Sequence, residues 1–139
     1  MKLHIFFSLI LFFTFSSVSS GLTKDKFQET REIFNWHCSQ CHGALGNGKG
    51  INNNSRLPVS PRNLTDDSDM SQFSNKDMVR TITKGGPSND LSPIMPSWGN
   101  TLSKKEIKNL VLFIRHLCKC KFEPKMKRKR LQQEGKIKP

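Results

Sequence analysis

Apolar and polar positions divide the chain into a few helical stretches separated by long aperiodic ones. The first apolar feature is IFFSLILFFTF at residues 5–15, preceded by a lysine and followed by SSVSS. That order is a secretory signal peptide, with cleavage expected after Ser20 and export to the periplasm. This run of 11 residues falls short of a bilayer-spanning helix, which needs about 20. Residues 23–37, TKDKFQETREIFNWH, place Phe27, Thr30 and Phe34 on one face at helical spacing, and Thr23 is the expected N-cap. From Gly43 to Asn75 no period persists, and INNNSRLPVSPRNLTDDSDMSQF reads as loop.

Periodicity returns at Ser74-Asn75-Lys76-Asp77, a capping-box pattern. It opens a short helix carrying Met78 and Ile82, stopped by Gly85, Gly86 and Pro87. Residues 87–101 are again loop. A second capping box, Ser103 to Glu106, opens the strongest helix. Its apolar stripe is Ile107, Leu110, Val111, Ile114, Leu117 and Cys118. This helix is expected to cross the first, with Thr30 as a small contact point. No strand pattern or internal repeat interrupts the series, so the expected fold is all-α. Loops this long in a compact domain are unusual, unless a large flat cofactor is the surface they pack on.

Charge divides the chain differently. The whole sequence of 139 residues carries a formal net charge of +12. Without the leader's one lysine, 22 Lys and Arg against 11 acids leave +11. Residues 119–139 hold nine of those cations and two acids, a net +7 in a short segment. The boundaries are therefore a leader at 1–20, a domain at 21–118 and a basic tail at 119–139. The tail reads as a solvated, mobile segment. Its functional use would be docking to an acidic protein face or an anionic membrane surface. An exported protein seldom meets nucleic acid, so a nucleic-acid partner is not expected.

Export also governs the four cysteines, 38, 41, 118 and 120. A Cys38–Cys41 disulfide would leave His42 without a role, and no second Cys/His cluster supports zinc. A thioredoxin-like redox pair wants a βαβ pattern, which is missing. Cys38-Ser39-Gln40-Cys41-His42 is the C-x-x-C-H pattern of c-type haem attachment. Two thiols must meet two vinyl groups on one porphyrin edge, and an imidazole directly after them rises beneath the iron. Gly43, Gly46, Gly48 and Gly50 then let the chain pass close to the haem edge. Cys118 sits on the apolar stripe and reads as a buried free thiol. Cys120 lies off it, and a Cys118–Cys120 bridge would close a very small ring. For Cys120 an intermolecular disulfide or a metal contact stays open.

Iron also needs a sixth ligand. Met78 falls on an apolar helix face and Met126 in the tail, whereas Met70 lies in a polar loop and stays open by position. Met95 stands between Pro93 and Pro96 just before the last helix. Prolines stiffen such a loop, which suits a weak thioether–iron bond. His37 and His116 read as structural or surface histidines.

Three segments together resemble the bacterial class I monohaem c-type cytochromes. FNWHCSQCHGALGNGKG resembles their haem-attachment region, with Phe34 at the aromatic position before the first cysteine. SPRNLTD resembles the loop lining the haem on the histidine side. IMPSWGNTLSKKEIKNLVLFIRHL resembles the ligand methionine, its following proline and the closing helix. With the segments between them, the likeness covers about residues 23–118. It implies three to four helices wrapped round one covalently bound haem, the first and last crossing. It implies thioethers at Cys38 and Cys41 and axial ligation by His42 and Met95. It also implies a proline carbonyl accepting from the ligand histidine, for which Pro58 and Pro61 are both placed. Arg62 would lie near a propionate or remain a plain surface arginine, and Trp98 would pack by the haem edge or the ligand loop.

The role so implied is one-electron transfer between periplasmic or membrane redox complexes. The alternative is a haem c subunit of a larger periplasmic redox enzyme, docked through the basic tail. Catalysis or ligand sensing at the iron would require an open sixth position. No paired carboxylates, Ser/His/Asp cluster or phosphate loop suggests an enzyme or a small-molecule substrate. Glu29, Glu32, Asp66, Asp67 and Asp69 read as solvated charges.

Overall fold

The computed structural model describes residues 25–138. The leader and Thr23 lie outside the described residues. Among those described there is no strand, and no helix is long and apolar enough to cross a membrane. The helices are α1 (Gln28–His37), α2 (Ser39–His42), α3 (Asp67–Met70), α4 (Asn75–Lys84), α5 (Lys104–Cys118) and α6 (Pro124–Gln133). A 3-10 turn, Gly86–Asn89, follows α4.

α1 starts later than its periodicity suggests. The Asp25 carboxylate accepts the Phe27 amide at 3.0 Å, and the Asp25 carbonyl accepts that of Gln28. These local bonds hold the entry as a turn, so helix begins at Gln28. α1 then packs on α5 as expected, with Thr30 and Phe34 buried in α1. The α5 residue that meets Phe34 is one the stripe omitted. Phe113 is 1% exposed, and its ring stands edge-on to Phe34 at 5.4 Å and tilted to Phe27 at 5.6 Å. Such offset geometries suit the ring quadrupoles.

Both capping boxes form. Ser74 and Asp77 exchange side chain and backbone at the start of α4, and Ser103 and Glu106 do the same at α5. Arg115 of α5 closes the turn between α3 and α4. Its guanidinium donates to the Met70 carbonyl at 3.0 Å, to Asn75 Oδ1 at 2.9 Å and to the Phe73 carbonyl. Met70, the loop methionine left open by position, is a core residue at 3% exposed, and Met78 is buried in the same core.

Two expectations for the C-terminal segment are overturned. Cys118 and Cys120 are joined in a disulfide rather than being a buried free thiol and an outward-looking one. The left-handed residue between them, Lys119 (φ 50°), turns the chain tightly enough to bring the two sulfurs together. Beyond it the segment is not a solvated arm. Residues 124–133 are helical, with Pro124 in the first turn. The Glu123 amide donates to the Ser71 carbonyl at 2.8 Å, and Lys127 pairs with Asp77 at 2.7 Å. Arg130 lies over the Phe73 ring at 4.7 Å. Anchors of this kind, rather than a continuous apolar stripe, hold a mostly charged helix to the domain.

Candidate functional site: the attachment turn and the methionine loop

α1 ends at His37 with Cys38 as its C-cap, and a single further turn carries the rest of the motif. The His42 amide bonds the Cys38 carbonyl at 2.9 Å, and Gly43 (φ 78°) then reverses the chain. The loop folds back over this turn. Gly48, Gly50 and Asn52 amides donate to the carbonyls of His42, Cys41 and Gln40. The tight turning expected of the glycines is present, with Gly43, Gly46 and Gly48 all at positive φ, and Gly48 and Gly50 also bring the loop against the chain itself. A Cβ at Gly50 would overlap the Gln40 and Cys41 carbonyls, and one at Gly48 would stand 2.7 Å from the Pro61 carbonyl oxygen.

That second approach also sets the histidine's partner. The Pro61 carbonyl turns toward Gly48, and the next carbonyl along the chain, Arg62's, faces the imidazole. His42 Nδ1 lies 2.9 Å from it. Neither Pro58 nor Pro61 supplies this bond, and Pro58 is exposed. A carbonyl can only accept, so Nδ1 carries the proton and Nε2 keeps its lone pair. Burial pushes the His42 pKa down, and the bond to Arg62 only partly opposes this. The ring is neutral at pH 7, the form a metal takes. The Arg62 side chain does something else. Its guanidinium pairs with Asp69 and lies 4.7 Å from the Phe73 ring centroid. Asp69, expected to be a solvated charge, is thus the salt-bridge partner of Arg62.

Cys38 and Cys41 are both free thiols. Burial, with Cys41 nearby, pushes the Cys38 thiol up to about 12, so it is protonated at neutral pH. Met95 sits half-buried on the core. Its carbonyl accepts the Gly86 amide at 3.0 Å, which ties the loop to the end of α4. Trp98 is also tied there, its amide on the Ile82 carbonyl at 2.9 Å. Its ring meets that of His37 edge-on at 4.9 Å, so Trp98 joins the methionine loop to the end of α1 beside the cysteines. His116 lies 5.0 Å from the Phe27 ring, in a structural role.

The donor set fits a covalently bound haem. Two free thiols stand on one turn with a neutral imidazole whose metal-binding nitrogen is unprotonated. The neighbouring segments also expose apolar side chains that a flat apolar group would cover: Leu45 at 71%, Ile51 at 82% and Val59 at 58%. A fold of helices round such a turn defines a class, the c-type cytochromes. Two solved structures share the fold, each with a TM-score of 0.51. One is the KustC0563 c-type cytochrome, 24% identical, covering 63% of this chain and 95% of its own. The other is the Kuenenia stuttgartiensis reducing HAO-like protein complex Kustc0457/Kustc0458, 25% identical, covering 65% and 41%.

Residues 25–114 match the family described as cytochrome C oxidase, cbb3-type, subunit III, and the chain belongs to it. Subunit FixP of a cbb3-type cytochrome c oxidase from Azorhizobium caulinodans is 37% identical over 86 residues. That match takes in 62% of this chain, which spans only 25% of the relative's length. The chain is thus a monohaem c-type cytochrome of the electron-transfer class, with covalently bound haem c.

Proposed function

We propose that the chain is a one-electron carrier whose haem c is held by thioethers at Cys38 and Cys41 and ligated by His42 and Met95. The observation that carries this reading is the His42 Nδ1 bond to the Arg62 carbonyl, which leaves Nε2 free to bind metal. Bound haem c supplies the Fe(III)/Fe(II) couple, and a His/Met pair raises its potential. The chain's own residues fix the ligands and keep water away. Arg62 orients the imidazole through its carbonyl. Gly48 and Gly50 close the loop over the attachment turn. Trp98 and the Gly86 amide fix the methionine loop. A site held this firmly reorganises little on a change of charge.

The working place is the periplasmic side of the membrane, consistent with the signal-like leader. The partners are redox proteins with acidic docking faces. Lys121, Lys125, Arg128 and Lys129 are exposed and supply the positive charge that would steer such encounters. An anionic membrane surface is a further site for the same cations. The second reading is a haem c subunit of a larger periplasmic redox enzyme, favoured by the family and by the relative's place in an oxidase.

Optical spectra of the haem-loaded protein test the ligand set. The oxidised protein is expected to show the far-red methionine–iron charge-transfer band, and the reduced protein to take up no carbon monoxide. Met95→Ala should lose the band and admit carbon monoxide. A high-spin spectrum and ready carbon monoxide uptake in the unaltered protein would overturn the electron-carrier reading.

A further inference from the structure

An electron carrier of this kind needs only the domain up to α5, yet the C-terminal segment is anchored at several points, and those points converge. Glu123 bonds Ser71 through its amide, Arg130 covers Phe73, and Lys127 pairs with Asp77. Asp77 has two further tasks. Its carboxylate completes the capping box of α4, and its carbonyl accepts Asn89 Nδ2 at 2.6 Å. The same Asn89 nitrogen reaches Thr81 Oγ1 at 2.7 Å. Asn89 closes the 3-10 turn, and Asp90 follows it in the left-handed region at φ 54°. Asp90 receives the second contact from the C-terminal segment, Lys136 Nζ at 3.1 Å. The methionine loop begins at the next residue. The Leu91 amide bonds the Gly86 carbonyl at 3.0 Å, and the Gly86 amide bonds the Met95 carbonyl at 3.0 Å.

We infer that residues 119–138 are an internal strap holding the Met95 loop, with Lys127 and Lys136 as positioning residues on either side of the turn from which the loop springs. Lys127 is the firmer anchor, because it and Asp77 are 31% and 21% exposed, against 37% and 74% for Lys136 and Asp90. A thioether is a weak ligand, and its retention depends on the loop that presents it. The spectroscopic consequence rests on the proposed ligation by Met95, but the restraint on the loop does not.

The test compares haem-loaded full-length protein with four variants: a chain ending at Cys120, Lys127→Ala, Lys136→Ala and the outward-facing control Lys125→Ala. Two quantities are read. One is hydrogen exchange of the amides in residues 86–95. The other is the rate at which added imidazole displaces the sixth ligand of the oxidised protein, followed by loss of the far-red band. Lys136→Ala should raise both about 2-fold, and the shortened chain about 10-fold, with the control unchanged. Asp90→Lys with Lys136→Asp should return both toward the full-length values. Equal exchange in all the chains would overturn the strap, whatever the spectra show. If full-length protein lacks the band, the Met95 ligand reading fails, and the exchange data alone decide the strap.

Discussion

The attachment turn and the C-terminal segment achieve order by opposite means. In the attachment turn every chemically important side chain lies within five consecutive residues, Cys38 to His42, and the loop that closes it folds back by short-range backbone bonds. In the C-terminal segment the contacts reach far along the chain, as with Lys127 to Asp77 and Lys136 to Asp90. The first is steric and rigid, with carbonyls packed where a Cβ would stand. The second is a set of charged contacts made on and just beyond a helix with little apolar content, each partly exposed and each modest in strength. Reactive chemistry is thus concentrated where the backbone is over-determined, while the surrounding restraint can be loosened piece by piece.

The largest effect expected from this contrast comes from the thiols. Replacing Cys38 and Cys41 together by Ser should abolish covalent haem, read as haem staining after denaturing electrophoresis. Ending the chain at Cys120 should leave the staining intact. If shortening also abolished it, the two regions would not be separable. Next come the glycines. Gly50→Ala forces a methyl into two carbonyls and should cost about 3 kcal/mol of stability. Gly135→Ala meets nothing within 4 Å and pays only for its positive φ, about 1 kcal/mol. Denaturant titration of the two variants measures the difference. Larger than either is Phe113→Ala, about 4 kcal/mol, which removes the ring under α1 and with it the support of the attachment turn.

Smaller effects concern acid and salt. Burial works against the charged form of Asp77, but Lys127 and the Ser74 backbone and hydroxyl outweigh it and hold the carboxyl below its ordinary value. A carboxylate depressed in the folded state stabilises that state above its unfolded pKa, about pH 4, and this contribution is lost as pH falls through the folded value. Hydrogen exchange in α6 should therefore rise as pH drops below about 4. Lys127→Ala should show less of that rise. Least is expected of Lys125→Ala, with a stability change under about 0.5 kcal/mol. Its effect should instead be on the salt dependence of electron exchange with an acidic partner, since surface charges are screened beyond about 8 Å at physiological ionic strength.

The same contrast explains what could be read from residues alone. Cys-x-x-Cys-His is contiguous and has few chemical uses, so the haem was legible. Both capping boxes were legible because a cap and its partner lie three residues apart. The Arg62 carbonyl was not, because every residue has a carbonyl, and the choice between neighbours depended on Gly48 lying against Pro61. Phe113 escaped because two packed helices bury a wider face between them than one stripe. The C-terminal helix escaped because cations were read as solvated charge, whereas Arg130 and Arg62 both lie 4.7 Å from the buried ring of Phe73. A guanidinium on a ring leaves no trace in an apolar period. Asp69 and the pairing of Asp77 with Lys127 were equally silent, since an acid destined for a salt bridge shows no sign of it until its partner arrives.

The Cys118–Cys120 bridge has a practical consequence for anyone preparing this protein. With that pair closed on itself, and with Cys38 and Cys41 forming the proposed thioethers, a finished chain would offer no sulfhydryl. A maleimide dye would then mark only chains that missed their cofactor. Unfolding the sample and counting the label would report the fraction matured, without reference to colour or to any redox partner.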